Sequence, residues 1–149
     1  MLILILIVPV CTIQIKKQLY EKRVENYLVK ELSYEKLKHY TPYYNEYWDS
    51  TENFLQNGIG FCVMDKEKII SEAVSIFKSQ KYAEVDIITD SNYRGKGLAS
   101  IIGERFIEYC ISHNIEPRWD CDIDNIASIN LGSKLGFIDP EEYTIYTKI

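Results

Sequence analysis

The chain has 149 residues, 46% of them hydrophobic and 26% charged, which is enough for one domain with a sizeable core. Its formal net charge of −5 argues against nucleic acid as a partner, since nucleic-acid-binding domains usually carry a basic surface. Four cysteines form no C-x-x-C pair and both histidines lie away from them, so we expect no metal site and reduced thiols in a cytoplasmic protein. We predict a single domain over residues 1–149, although residues 1–50 carry no motif.

An unbroken apolar run extends from Leu2 to Val8. It is shorter than the ~20 residues of a membrane-spanning helix, and it lacks the positive region and the cleavage site of a signal peptide. We predict a buried strand, then Pro9 and a second strand from Val10 to Ile15, with no membrane partner; a secretion or membrane role is the alternative. An uncovered apolar strand promotes aggregation, so another strand must cover it, and a homodimer is one way to supply that strand.

The region before residue 58 contains two helix signals and a cluster of aromatic residues. Ser33 is a suitable N-cap for a helix that would end before Pro42, and Ser50 or the next residue is a suitable N-cap for a second short helix. The segment Tyr40–Trp48 is rich in tyrosine, and its sequence fits two roles equally. It is either a substrate-binding lip or a surface that packs beneath a helix.

Three strand-like segments joined by short polar turns predict an antiparallel meander. They are Ile59–Met64, Ile69–Phe77 and a segment that ends at Thr89. The earlier segment Tyr27–Leu32 fits a strand or a helix, because its hydrophobic period does not distinguish the two.

Two helices and two strands are predicted after the meander. A helix from Leu98 to His113 separates the strand ending at Thr89 from a strand at Arg118–Ile123, and this crossover makes the two strands parallel. A second helix, Asn125–Leu135, precedes a final strand region at Phe137–Ile149. On this pattern we expect Trp119 to lie in the core.

The loop between Thr89 and the first of these helices is the strongest candidate site. It contains Arg94, Gly95, Lys96 and Gly97 immediately before a helix. Glycine permits close approach of a ligand to the main chain, and a helix N-terminus offers free N–H groups and positive potential. The loop therefore predicts an anion site, and phosphate is the anion that such sites most often bind.

Two motifs resemble the signatures of the GNAT superfamily of N-acetyltransferases. Arg94-x-x-Gly97-x-Ala99 is similar to its first signature, and the stretch from Asn125 to the Lys-Leu-Gly-Phe ending at Phe137 is similar to its second. Within the superfamily, three stretches look most like the branch of zwittermicin-resistance-type acetyltransferases: Gly58–Cys62, Ser71–Ala73 and Trp119–Cys121. The resemblance implies an α/β (α+β) fold: a mixed, mostly antiparallel sheet with one splayed parallel strand pair and helices on both faces.

The resemblance also implies acetyl-CoA as co-substrate and a small-molecule primary amine as acceptor, with direct acetyl transfer. The loop backbone would bind the pyrophosphate, and the exposed edge of the preceding strand would pair with pantetheine. The cofactor-binding residues implied in this way are Ile87, Ile88, Thr89, Arg94, Gly95, Lys96, Gly97, Leu98, Ala99 and Asn125.

The acceptor ammonium must lose a proton before it can attack, which requires a base. Glu84 and Asp86 are the catalytic candidates, because two-residue spacing on a strand places them on one face; exposure to solvent is the alternative interpretation. Glu72 on the neighbouring strand is a third candidate. The sequence departs from the superfamily at Gly132, where many members carry a tyrosine that protonates the departing thiolate.

Two other functions fit parts of the sequence. The absence of that tyrosine is compatible with a non-catalytic CoA-binding or regulatory module. The spacing Gly95-x-Gly97-x-x-Ser100 is also close to a dinucleotide fingerprint, with Asp120 or Asp122 placed to bind a ribose. Against a dinucleotide enzyme, these glycines follow the strand by several residues and the unit comes after a meander.

Overall fold

The protein was analysed as a computed structural model, which describes residues 2–7, 27–33 and 41–144. The strands are β1 (Leu2–Ile7), β2 (Leu28–Glu31), β3 (Gly60–Asp65), β4 (Lys68–Lys78), β5 (Tyr82–Thr89), β6 (Glu116–Asp122) and β7 (Ile138–Thr144). The helices are α1 (Thr41–Trp48), α2 (Thr51–Asn57), α3 (Leu98–Ser112) and α4 (Ile126–Leu135). In this part of the chain, the strands form one sheet with the order β2-β3-β4-β5-β6-β1-β7.

The predicted antiparallel meander is confirmed as β3, β4 and β5. The ambiguous segment at residues 27–32 contains a strand, β2, which pairs with β3. The predicted cap of the short helix is also confirmed, because the Ser50 hydroxyl accepts a hydrogen bond of 3.0 Å from the Asn53 N–H. These elements follow local signals, which is why the sequence predicts them well.

The parallel pair β5–β6 is confirmed, and it is short. Its register extends only from Tyr82↔Glu116 to Glu84↔Arg118. Beyond Glu84 the two strands pair no further, so they form a fork that opens toward the carboxyl end of β5. With one parallel pair among six, the sheet lacks the mainly parallel arrangement of a dinucleotide fold, and we set that alternative aside.

The apolar N-terminal run forms a strand, as predicted. β1 lies between β6 and β7 and is antiparallel to both, so both of its edges are covered by strands of the same chain. The second strand predicted at Val10–Ile15 and the helix predicted at Ser33–Tyr40 lie outside the described residues. Among the helices that the structure describes, none has the length and apolar character needed to cross a membrane.

The aromatic segment contains a helix, α1, that the sequence did not predict. Pro42 lies in its first turn, where a proline costs little because the N–H groups there lack helical partners. The helix that Pro42 was predicted to end lies outside the described residues. The Trp48 Nε1–H donates a hydrogen bond of 2.7 Å to the Ser75 carbonyl, and the Tyr44 side chain is fully buried. These residues of the segment therefore pack against the sheet.

Helices cover both faces of the sheet, as expected. Phe61 and Val63 of β3 belong to the hydrophobic cluster around α3, whereas the alternate residue Cys62 belongs to a second cluster with α1 and α2. Because successive residues of a strand point to opposite faces, the two clusters lie on opposite sides. The three described cysteines are buried and unbridged, as expected; they are Cys62, Cys110 and Cys121.

Candidate active site

A cavity of about 670 Å³ lies in the fork between β5 and β6 and extends to the first turns of α3 and α4. Most of the residues predicted from the sequence line it: Asp86, Ile87, Ile88, Thr89, Arg94, Gly95, Gly97, Leu98, Ala99 and Asn125. Further lining residues that the sequence analysis did not assign to a CoA site are Val85, Tyr93, Ser100, Trp119, Asp120, Ala127, Ser128 and Leu131. Glu84 and Lys96 are not part of the wall.

At one end of the cavity the main chain forms an open concave turn. Gly95 and Gly97 have φ of +75° and +78°, a left-handed conformation that strains any residue with a Cβ. A Cβ built on either glycine would meet no protein atom within 4 Å. The glycines are therefore required by the backbone conformation, and the space above them is open to a ligand.

The N-terminus of α3 points its first N–H groups to the same end. Gly97 is the N-cap residue and supplies no side-chain cap, so the first N–H groups of the helix have no capping partner within the helix. Their partial positive charge favours an anion at this position. The turn and the helix N-terminus together suit a phosphate.

Two contacts fix the loop to the β3–β4 hairpin. The Lys68 ammonium lies 2.7 Å from an Asp90 carboxylate oxygen, and the Tyr93 hydroxyl donates a hydrogen bond of 2.9 Å to Asp65. The hydrogen bond from Lys68 lowers the pKa of Asp90, so this carboxylate stays ionised and keeps its partner. These two contacts tie the loop to the hairpin.

The two cations of the loop have different positions. The Arg94 guanidinium Nε–H donates a long hydrogen bond of 3.4 Å to the Thr89 carbonyl at the end of β5, and Arg94 lines the cavity. The Lys96 ammonium lies over the Tyr93 ring, 4.9 Å from its centroid. Arg94 is thus the cation on the cavity wall, and Lys96 contributes positive potential from outside it.

Asn125 lies across the cavity from β5. Its side-chain oxygen accepts a hydrogen bond of 3.1 Å from the Ser128 N–H and thereby caps α4. The cap places the start of α4 against the cavity, since Ala127 and Ser128 also form part of the wall. Asn125 therefore has a structural role that accompanies its predicted position in the site.

The closed end of the fork carries several acidic side chains on the face opposite α3. Glu84 lies opposite Arg118 at the last parallel pair, and Asp86 and Asp120 follow on the two diverging strands. The Tyr143 hydroxyl of β7 donates a hydrogen bond of 2.8 Å to Asp120. These groups form a hydrogen-bonded acidic cluster at the point where the two strands separate.

Burial and mutual repulsion shift the titration of this cluster. Partial burial and, after it, the neighbouring Asp120 together raise the pKa of Glu84 to about 7. Burial also raises the pKa of Asp120, although the Tyr143 hydrogen bond opposes that change. Near neutral pH the pair Glu84–Asp120 can therefore hold one proton between two carboxyl groups.

Glu72, the third candidate from the sequence, is set back from the cavity. It is 5% exposed, its carboxyl lies 3.5 Å from the Tyr44 hydroxyl, and it is not part of the cavity wall. Burial raises the pKa of Glu72 to about 7. Its position beneath α1 favours a structural role.

Comparison with known proteins identifies the family. The profile described as GNAT acetyltransferase matches residues 11–146. The chain belongs to the GNAT acetyltransferase family. It is 42% identical over 135 residues to YdfB, an uncharacterised N-acetyltransferase of Bacillus subtilis (strain 168). The aligned region covers 91% of this chain but 50% of YdfB. The chain thus spans half the length of that curated relative.

Solved structures show the same GNAT fold. A GCN5-related N-acetyltransferase-like protein of Streptococcus suis has a TM-score of 0.72 at 22% identity, over 95% of this chain and 60% of that one. The aminoglycoside N-acetyltransferase AAC(6')-Iy in complex with CoA has a TM-score of 0.67 at 18% identity, over 82% of this chain and 99% of that one. AAC(6')-Iy has also been solved with a bisubstrate analogue, with a TM-score of 0.66 at 17% identity, over 83% and 98% of the two chains.

Against the GNAT pattern, α4 has no side chain at the position of the usual tyrosine. Gly132 is buried, and its carbonyl accepts a hydrogen bond of 3.1 Å from the Phe137 N–H.

Trp119 was expected only in the core, and it does pack against Phe137 with ring centroids 5.5 Å apart. The structure adds that it lines the cavity, which the pairing register of β5 and β6 decides and the sequence of β6 alone cannot show.

The described part of the chain contains no cluster of three or more His, Cys, Asp or Glu side chains arranged to hold a metal ion.

Asp120 was considered from the sequence only as a ribose ligand of a dinucleotide fold. A better signal was available in the alternation of β6, which places Arg118, Asp120 and Asp122 on one face and buried residues on the other. The same alternation in β5 indicates the face that carries Glu84 and Asp86.

Proposed function

We propose that this chain transfers the acetyl group of acetyl-CoA directly to a primary amine of a small molecule. The observation that carries the proposal is the cavity itself, with an anion-binding turn at one end and half-buried carboxyl groups at the other. An elongated donor with phosphates at its distal end fits such a cavity with its acyl group at the fork. The GNAT relatives with CoA and with a bisubstrate analogue support the same assignment.

The residues at the open end suit the phosphates of CoA. N–H groups from Gly95 to Ala99, together with the start of α3, would bind the pyrophosphate, and the Arg94 guanidinium would add charge. When bound, CoA supplies the activated thioester. The chain itself would bind and orient that thioester.

The β5 main chain is the candidate for stabilising charge on the reacting carbonyl. Its edge from Val85 to Thr89 has no β6 partner and borders the cavity. We propose that an N–H of Ile87, Ile88 or Thr89 pairs with the pantetheine amides or faces the thioester oxygen. A fixed N–H donor there would stabilise the negative charge that develops as the amine attacks.

We propose that Glu84 or Asp86 accepts the proton of the amine. A group with a pKa of about 7, as at Glu84, can take a proton near neutral pH and release it again, which suits a general base. Asp86 is the closer of the two to the ligand, because it lines the cavity. The amine nitrogen then bonds to the acetyl carbon, the carbon–sulfur bond breaks and CoA leaves as a thiolate.

Charge and aromatic surface around the fork favour a cationic amine as the acceptor. Tyr47 of α1 has its pKa raised by partial burial and by the nearby carboxylates of Glu46, Asp86 and Glu84. Phe77 of β4 pairs with Glu84 of β5, and Tyr47 and Phe77 are 45% and 57% exposed, so exposed aromatic rings border the acidic face. Carboxylates and aromatic rings both attract an ammonium group.

Four other expectations from the sequence stay predictions: placement in the zwittermicin-resistance-type branch, a cytoplasmic location, a single domain and a homodimer.

The test is steady-state release of free thiol from acetyl-CoA in the presence of a panel of primary amines. Turnover with at least one amine, and none with the matching alcohols, is the expected result. A protein that binds CoA in calorimetry but turns over no amine would instead be a non-catalytic CoA-binding module. Gly132, which removes the usual thiolate-protonating tyrosine, is the observation that favours this second candidate.

A further inference from the structure

Trp119 carries a buried hydrogen-bond donor without an acceptor. Its side chain is 4% exposed, and its indole Nε1–H has no hydrogen-bond partner among the residues that the structure describes. Buried indole N–H groups normally find a partner, because an unsatisfied donor shielded from water destabilises the folded state. The same residue lines the cavity in the fork.

Trp119 lies at the end of the cavity where the thioester of the acyl donor would be. The last parallel pair of β5 and β6 is Glu84↔Arg118, so Trp119 is the first residue of β6 after the strands separate. The anion-binding turn lies at the opposite end of the same cavity. A donor bound with its phosphates at that turn therefore has its thioester beside Trp119.

The chemistry at this end of the cavity calls for a hydrogen-bond donor at the sulfur. When the carbon–sulfur bond breaks, the electron pair goes to sulfur, and a thiolate needs either a proton or a hydrogen bond. α4 has Gly132 where a tyrosine would otherwise supply the proton. Trp119 of β6 and Leu135 of α4 are buried in the same hydrophobic cluster. Trp119 therefore lies on the same side of the sheet as α4.

We infer that the Trp119 indole N–H donates a hydrogen bond to the sulfur of the acyl donor and stabilises the departing thiolate. This inference rests on the proposed function. The indole keeps its proton, the amine proton goes to the carboxyl groups of the fork, and CoA takes a proton from solvent after it leaves. A hydrogen bond to a charged acceptor is stronger than one to a neutral thioester, so the interaction favours the transition state over the bound donor.

The two tryptophans of the chain provide a matched pair of variants. Trp119→Phe removes a donor that has no described partner, whereas Trp48→Phe removes one that is bonded to the Ser75 carbonyl at 2.7 Å. Both changes remove the same ring volume. We expect Trp48→Phe to lower the unfolding midpoint more, and Trp119→Phe to lower kcat about tenfold or more while KM for acetyl-CoA changes little.

Binding measurements separate a sulfur contact from a packing effect. At pH 9.5 a much larger fraction of CoA is a thiolate than at neutral pH, so an N–H donor at the sulfur contributes more to binding. Calorimetry should show that the wild-type protein and Trp48→Phe bind CoA about tenfold more tightly than desulfo-CoA, and that Trp119→Phe loses this preference. An unchanged preference in Trp119→Phe would overturn the inference even if activity falls.

The remaining outcomes are also decisive. If the wild-type protein binds no CoA at all, the proposed function and this inference fail together; if it binds CoA with equal affinity to desulfo-CoA, only this inference fails. Should Trp119→Phe not fold, benzothienylalanine at position 119 in the Trp48→Phe background keeps the ring shape and replaces only the N–H. Full kcat in that protein would overturn the inference.

Discussion

Replacing Gly97 by aspartate tests the anion-binding turn most directly. Gly97 has a φ of +78°, which costs a residue with a Cβ about 1–2 kcal/mol, and its Cβ would extend into space that no protein atom occupies. The new carboxylate would stand where we place the pyrophosphate. We therefore expect a modest loss of folding stability and a loss of CoA affinity of well over tenfold, which is about 1.4 kcal/mol or more.

A matched control separates backbone strain from the loss of the site. Gly136 also has a positive φ, +96°, but it ends α4 and does not line the cavity. Gly136→Asp should lower the unfolding free energy in urea by a similar amount and leave CoA affinity unchanged. Calorimetry with CoA and urea unfolding of both variants give the comparison. Wild-type CoA affinity in a folded Gly97→Asp protein would refute the assignment of this turn.

Three further predictions concern the carboxyl groups and the N-terminal strand. Glu84→Gln or Asp86→Asn should lower kcat by ~10²–10⁴-fold with acetyl-CoA binding intact, and Glu84→Gln should also abolish a rise in kcat through about pH 7; near-normal rates in both variants would exclude them as the base. The pKa of Glu72 is about 7 in the folded protein against an ordinary 4.5, so the folded protein binds this proton more tightly than the unfolded chain. The unfolding free energy should therefore fall by up to about 3 kcal/mol as the pH rises from 4.5 to 7, and urea unfolding should show a smaller fall in Glu72→Gln. Ile5→Pro removes an N–H from an interior strand and should lower the unfolding free energy, whereas a wild-type value would show that β1 does not pair on both sides.

The end of the site that binds phosphate was predictable because it is local. The strand ending at Thr89, the two glycines and the helix start at Leu98 are consecutive in the sequence, and each follows a short-range rule. The positive φ of Gly97 is what its residue type suggests, and the cap at Asn125 follows the same logic. Local chemistry was sufficient there.

The other end was not predictable, since it depends on register between distant strands. Glu84 and Asp120 approach each other only because β5 and β6 pair in parallel up to Arg118 and then separate. A shift of that pairing by one residue would move Asp120 to the opposite face. The helix α1 was missed for a different reason: proline fits both the first turn of a helix and the position after one, and the sequence does not choose between them.

The strand β1 lies between the two strands that carry Asp120 and Tyr143. Ile5 pairs with Asp120 on one side, and Ile3 pairs with Tyr143 on the other, yet the Tyr143 hydroxyl reaches Asp120 across β1 at 2.8 Å. The acidic end of the cavity is therefore assembled from segments that are far apart in the sequence, and β1 sets the distance between two of them. The phosphate-binding end is built from one continuous segment. Substitutions in β1 should consequently change the acceptor end of the site while CoA binding at the loop is retained, which makes the two halves of the proposed reaction separable by mutation.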